Sequence, residues 1–328
     1  MFLFVLRRIA GMIPAMFAIS ILAYTIIQLP PGDFVSTYAA QLAESGTIVD
    51  SARLESLRDR YGLGQDVVTQ YFKWIGGIVT RGDFGDSFEW NQPVTELVWD
   101  RMGMTALISL LTLIAMWAVS LPIGIYSAVR QYSVTDYVAT IFGFLGMATP
   151  NFLLAIVLMY ISTMWFGASV GGLFSPQFVN APLSWAKIWD FITHAWIPIL
   201  ILGTAGTASL IRVMRANLLD ELHKPYVEAA RAKGMPETRL ILTYPTRVAL
   251  NPFISTVGWV LPALISGELI VSTVLNLPTA GPLLLQALKS QDMFLAGAFI
   301  LLSGALVLIG TLISDILLAI SDPRIRLS

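Results

Sequence analysis

Long apolar runs alternate with polar connections along this chain, and the lengths of the runs decide what they are. Apolar stretches cover about 9–29, 104–129, 134–164, 195–211, 251–275 and 294–320. A helix rises 1.5 Å per residue, so each is long enough to cross roughly 30 Å of hydrocarbon, the fourth only by extending slightly past its apolar part. The pattern predicts an all-α polytopic membrane protein with about six transmembrane helices. Two connections are long. Residues 30–103 turn soluble in character and read as an insert after the first helix, with eleven acidic and six basic residues from 30 to 102. Residues 212–250 are the most basic connection, holding seven of the twenty Lys and Arg between Arg212 and Arg247. Within it, Pro225 suits a first helical turn, Gly234 a C-terminal stop and Pro236 a second start. Residues 225–247 therefore read as two short helices between membrane spans, a compact charged docking surface.

Finer punctuation fills in the rest. Arg7 and Arg8 precede a run of about 20 apolar residues, spanning length rather than the 7–15 of a signal sequence, and no clear small-x-small cleavage site follows. In the insert, Pro30-Pro31-Gly32-Asp33 reads as a turn and cap, and residues 51–61 as a helix stopped by Gly62. Residues 67–79 carry Tyr71, Phe72 and Trp74, which read as the core of a small lid. Gly82 to Ser87 reads as a loop whose Asp83 and Asp86 are read as turn and capping chemistry in preference to a metal site. Pro122, Gly124, Pro150, Pro198, Gly203, Gly206, Pro262 and Gly267 fall inside the spans, where kinks suit either a pathway that opens or ordinary membrane-helix packing. Trp165, Trp185, Trp189 and Trp196 gather around the second outer loop, as interfacial anchors do.

Basic residues set the orientation. With six spans, one side holds Arg7, Arg8, Arg130, the seven from Arg212 to Arg247, Arg324 and Arg326, and the short loops of the other hold Lys187 and Lys289. Twelve against two places both termini and the 212–250 connection in the cytoplasm; the long insert is beyond the range over which the rule counts.

Composition removes several chemistries. The chain is 56% hydrophobic and only 12% charged, has no cysteine and holds two histidines. Disulfide, thiol and iron–sulfur chemistry are excluded, a histidine-rich metal site is excluded, and no basic block points to nucleic acid. None of the five lysines follows a glycine, so no phosphate loop is present and the chain is not itself an ATPase. No H-E-x-x-H or G-x-S-x-G motif marks a hydrolase, and no catalytic residue is assigned. An ion-coupled carrier would need ionisable groups at mid-membrane. Glu268 alone is well embedded, read either as an interhelical hydrogen bond or as part of a substrate path, while Asp315 lies near an inner end. Six spans without an internal repeat is also small for an inverted-repeat carrier. What remains is a pore-forming subunit driven by another protein.

Glu228-Ala229-Ala230-Arg231-Ala232-Lys233-Gly234, after Arg212-x-x-Arg215 and Tyr226, resembles the EAA loop of ABC-importer permeases. More narrowly it is similar to the oligopeptide/dipeptide/nickel permease family in its B-type branch. The resemblance runs nearly the whole chain: Leu6-Arg7-Arg8, Pro31-Gly32-Asp33, Tyr61-Gly62-Leu63 with Gln70-Tyr71, and Gly82-Asp83-Phe84-Gly85 with Ser87. Further on come Thr149-Pro150-Asn151-Phe152, Leu277-Pro278 and Asp322-Pro323-Arg324-Ile325-Arg326.

That resemblance implies a single permease domain over 1–328 in a bacterial-type inner membrane, forming half of a translocation pathway for peptides or similar solutes. It implies a second homologous permease subunit, two cytoplasmic ATPases and an extracytoplasmic binding protein as partners, besides membrane lipid. No cofactor belongs to this chain, ATP and magnesium being held by the ATPases. It makes Glu228, Ala229, Ala230, Arg231, Lys233 and Gly234 the ATPase-coupling residues, with Arg231 and Lys233 either docking contacts or positive-inside anchors. One departure bears on substrate. Many members carry Val-Glu-Thr before Gly-Leu-Pro-Gly; here Val271-Ser272-Thr273 precedes Asn276-Leu277-Pro278-Thr279. A carboxylate stands instead at Glu268, one helical turn earlier on the same face. Glu268, Ser272 and Asn276 are therefore the pathway candidates, and oligosaccharides stand beside the favoured peptides as substrates.

Overall fold

The computed structural model describes residues 2–28, 65–87, 89–90, 92–166, 171–290 and 292–321. The turn at Pro30–Asp33, the 51–61 helix with Tyr61-Gly62-Leu63, and the Asp322–Arg326 ending lie outside them. In order come α1 (Phe2–Gln28), α2 (Val67–Arg81), a hairpin of β1 (Asp86–Ser87) and β2 (Gln92–Pro93), and α3 (Val94–Val129). Then follow α4 (Val134–Ala148), α5 (Asn151–Phe166), a 3-10 turn (Pro176–Phe178), α6 (Trp185–Leu222), α7 (Pro225–Ala232) and α8 (Glu237–Thr243). Last are α9 (Pro245–Ser255), α10 (Val257–Val274), α11 (Ala280–Lys289) and α12 (Met293–Ser321).

Among the described residues, four helices are long and apolar enough to cross a membrane, Leu3–Ile26, Val94–Val129, Trp185–Leu222 and Phe294–Ser321. The expected third span, 134–164, is not one rod: α4 and α5 meet at 103° and count as a fifth span only if taken together. Thr149 supplies the break, because Pro150 drives the residue before it out of helical space, to ψ 119°. The expected fifth span also divides, at Thr256, leaving the 18 residues of α10, about 27 Å. Conversely, α3 begins ten residues before the expected 104, since Val94, Val98 and Met102 form a buried stripe at helical spacing.

The described residues form two units. The larger comprises Met1–Ile9, Met104–Gly281 and Leu306–Ser328. Its axis is α6, 38 residues long, whose Ile201, Leu210, Met214 and Leu218 are buried in one cluster with Ile108, Met116, Phe253, Leu264 and Val271. Small residues set the helix spacing, as they do where lipid supplies no hydrophobic drive between helices. A Cβ at Gly146 of α4 would lie 2.5 Å from Thr204 Cγ2 of α6, so only glycine permits that approach.

The smaller unit comprises Ala10–Gly103 and Pro282–Ala305. Here α2 lies along α1: Tyr71 and Trp74 are buried, Tyr24 meets Tyr71 edge-to-face and Trp74 at a tilt, and the Ser20 and Tyr71 hydroxyls share a hydrogen bond of 2.7 Å. Of the three aromatics expected to form a lid core, Phe72 remains exposed. Gly82 (φ 64°) and Gly85 (φ 96°) shape the following loop, and the Asp83 carboxylate accepts the Gly85 N–H at 3.0 Å, the turn chemistry foreseen for it. Asp292 caps the start of α12 at the Leu295 N–H (3.2 Å) and takes the Ser87 hydroxyl at 2.5 Å, fastening the hairpin to that helix.

Candidate functional site

Two short helices stand where the polar pattern put them. Lys224 is the extended N-cap of α7, Pro225 occupies its first turn, and Gly234 (φ 77°) ends it. The ending is a Schellman closure: the Gly234 N–H reaches Arg231 O at 3.0 Å and the Met235 N–H reaches Ala230 O at 3.4 Å. Ala230 and Met235, the two positions flanking that closure, both pack on a cluster of Val227, Leu240 and Ile241. Pro236 then caps α8, which returns across α7. The cluster is completed by Ile125 of α3 and Leu222 of α6, so the helix pair is seated on two long helices.

The predicted coupling residues divide by face. Glu228, Ala229, Arg231, Lys233 and Gly234 are exposed, whereas Ala230 turns inward. A Cβ on Gly234 would meet nothing within 4 Å, so its role within the chain is backbone conformation rather than close packing. Arg231 is paired within the chain: its Nε and Nη2 donate to the two Glu237 oxygens at 3.1 and 2.7 Å, bracing α7 against α8. That pairing raises the guanidinium's pKa and holds the Glu237 carboxyl below its ordinary range.

The root of α7 depends on a residue that sequence reasoning passed over. Glu221, buried at the end of α6, accepts the Lys224 ammonium at 2.5 Å and the Tyr226 hydroxyl at 2.6 Å. Burial, and then the adjacent carboxylate, push the Tyr226 phenol above its usual value, so it stays a donor at physiological pH. The only hint was Glu221-x-x-Lys224 spacing, indistinguishable in sequence from a solvated surface pair. A second clamp lies nearby in chain order, where Arg215 grips Asp136 at the start of α4 with two bonds of 3.0 Å.

Further contacts hold the start of α1 and the end of α12 within the larger unit. Arg8 pairs with Asp315 at 3.3 Å, and Ser321 donates to Asn251 of α9 at 2.5 Å, soon after α8. The start of α1 and the end of α12 therefore share the side from which α8 leads into α9.

The pathway candidates are placed differently. Glu268 is only 1% exposed; Thr105 of α3 donates to it at 3.4 Å and itself accepts the Ala280 N–H of α11 at 2.9 Å. Ser272, one turn on, is also buried and donates to Leu269 O at 3.2 Å. Both lie on one face, as their spacing implied, and that face packs within the chain. A Cβ at Gly281 would come within 2.6 Å of Ser272 Oγ and 2.7 Å of Leu269 Cα, so the backbone at Gly281 lies directly against this turn. Asn276 is exposed and takes φ 50° as the residue after the α10 cap, with Leu277 N–H to Ser272 O at 2.8 Å closing a second Schellman turn. Asparagine tolerates that left-handed conformation better than other side chains, which accounts for it locally.

Residues 120–327 match the family model of binding-protein-dependent transport system inner membrane components. The chain belongs to that family. Residues 1–111 match the corresponding N-terminal model. An oligopeptide transport system permease protein of Bacillus subtilis is 35% identical over 327 residues, covering 98% of this chain and 99% of that protein. A dipeptide transport system permease protein of Escherichia coli is 28% identical over 339 residues, 98% of each. A nickel import system permease protein of Staphylococcus aureus is 28% identical over 323 residues, covering 98% of this chain and 92% of that one. The protein is thus a multi-pass inner-membrane permease of a binding-protein-dependent ABC importer, in the B-type branch. Membership implies ATPase and substrate-binding partners. As a permease subunit, the chain is related to transport components rather than to enzymes.

Proposed function

We propose that this permease carries peptides, and that α7 and α8 are the surface through which a cytoplasmic ATPase drives it. The observation that carries the coupling reading is the two-sidedness of α7. It is exposed along Glu228, Ala229, Arg231 and Lys233, yet fastened to α6 through Glu221 and seated through Val227. A helix held this way transmits a push to α6 and α3, whereas one on a slack tether would absorb it. Small Ala229 lets a partner surface approach closely, and Glu228 offers a carboxylate to a basic residue there. Lys233 offers the complementary charge.

In this reading both termini and the 212–250 connection are cytoplasmic, supported by the twelve-to-two division of basic residues. The 30–103 insert is extracytoplasmic. The working assembly contains a second homologous permease, two ATPase subunits that hold ATP and magnesium, and a binding protein that delivers substrate. Peptide cargo is supported by the relatives named for oligopeptide and dipeptide transport. Glu268, Ser272 and Asn276 are the polar positions through which α10 acts on the pathway, Glu268 from its buried bond to Thr105.

The test is reconstitution in vesicles with the cognate permease, ATPases and binding protein. Labelled di- to pentapeptides accumulate only when every component and ATP are present, and this chain alone gives no uptake. Uptake by the chain alone under an ion gradient would overturn the ATPase-driven reading. Uptake of an oligosaccharide or nickel with no peptide uptake would overturn the substrate.

A further inference from the structure

We propose that a groove between α4 and α6 seats an anionic phospholipid, with Arg212 as the ligand of its phosphate. The groove is shallow and open to its surroundings, and its apolar walls include Ala139, Gly143, Phe144, Ala208 and Ile211. Two arginines one turn apart border it, and they are satisfied very differently. Arg215 spends its fork on Asp136 through two bonds of 3.0 Å, and Asp136 also accepts the Tyr132 N–H at 3.0 Å. That carboxylate is 4% exposed and fully engaged. Arg212 has nothing comparable. Its Nη2 lies 3.1 Å from Met147 Sδ, a weak acceptor, and its carbon centre is 5.7 Å from the Phe144 ring. Among the described residues no carboxylate pairs with it. A guanidinium offers five donors in a planar fork, and its best oxygen partners are carboxylate and phosphate.

Position identifies the acceptor. The apolar part of α6 runs over 195–211, so Arg212 is the first cation beyond it, at the depth where hydrocarbon gives way to headgroups. Basic pockets between transmembrane helices are suited to anionic headgroups, because phosphate and cation meet where water is scarce. Below the cation, α4 and α6 come close at the groove floor: a Cβ on Gly143 would touch the Ala208 Cβ at 3.4 Å. That leaves an apolar trough leading away from Arg212, a shape that accepts the upper part of an acyl chain. A free phosphate would use the cation and leave the trough empty. A net negative headgroup is preferred to a zwitterionic one, whose own ammonium would face Arg212 and Arg215.

The experiment is native mass spectrometry of the assembled importer in detergent, titrated with dioleoyl phosphatidylglycerol, dioleoyl phosphatidylcholine or inorganic phosphate. One phosphatidylglycerol per copy of this chain is expected, retained in preference to phosphatidylcholine and not displaced by millimolar phosphate. Arg212→Gln should weaken that retention about five-fold or more, the scale of one basic residue at an anionic membrane surface. Thr140→Leu, which obstructs the groove without touching a charge, should also lower it. Equal retention in Arg212→Gln and the unaltered importer would overturn the proposal, as would equal retention of phosphatidylcholine or displacement by phosphate. Full retention in Thr140→Leu would overturn the seat in the groove. If Arg212→Gln does not assemble, the Thr140→Leu and competition results decide.

Discussion

Replacing Glu221 by alanine should loosen α7 from α6 without unfolding the permease. The Tyr226 hydroxyl donates to a carboxylate whose side chain is 11% exposed, and a hydrogen bond to a charged group contributes about 1.5–3 kcal/mol. The Lys224 ammonium is half exposed, so after solvent screening its pair adds only about 0.3–1 kcal/mol. Against both stands the desolvation that the buried carboxylate no longer suffers once removed. The net loss is about 2 kcal/mol, or roughly a thirty-fold rise in the population with α7 undocked. Glu221→Gln keeps an oxygen for Tyr226 but loses the charge, so about 1 kcal/mol and a five-fold rise are expected. Hydrogen exchange on the assembled importer reads this directly, because exchange through local opening follows the population of the opened state. Amides of α7 should lose protection in the order Ala, then Gln, then the unaltered chain, while the interior of α6 stays unchanged. The ATP hydrolysed per substrate imported should rise in the same order. Unchanged α7 protection in Glu221→Ala would refute the reasoning, leaving the Val227 cluster as the sole attachment.

Gly234→Val forces a β-branched residue into φ 77°, costing at least about 1–2 kcal/mol and opening the Schellman closure; insertion should persist while ATP hydrolysis uncouples from uptake, and normal uptake would refute this. Glu268→Ala should alter uptake kinetics while ATPase assembly is retained, with Glu268→Gln nearer to the unaltered permease because its amide still accepts from Thr105; unchanged kinetics in the alanine variant would leave Glu268 purely structural. The Arg231–Glu237 brace should weaken in acid. Its contribution is complete above the ordinary glutamate value of 4.5 and falls away as pH drops through the depressed value of the folded state. Because both side chains are about half exposed, the effect on α7–α8 protection should be small and should shrink further in high salt. Salt-independent protection would refute that assignment.

The run lengths and the proline and glycine punctuation were enough to specify a polytopic helical protein and its two short interspan helices. Those are local properties: hydrocarbon thickness sets the run, Pro225 suits a first turn, and Gly234 takes a left-handed stop that other residues resist. The motif from Glu228 to Gly234 was equally legible, since it is contiguous. What local pattern could not decide was which side chains meet. Glu221 and Lys224 read as an ordinary surface pair, and burial against Tyr226 made them a joint. Ala229 and Ala230 are identical in sequence, and only the seating of α7 on Ile125 and Leu222 turned one outward and the other in. The 134–164 run had the length of a single span, yet Pro150 broke it, because a kink becomes a 103° turn only where neighbouring packing accepts one. Glu268 was found by its isolation in an apolar run, but its partners, Thr105 and through it Ala280, are 163 residues back and twelve residues on respectively. Contacts across such separations are made by helix packing, and that is where the tertiary structure, rather than the order of residues, assigned the roles.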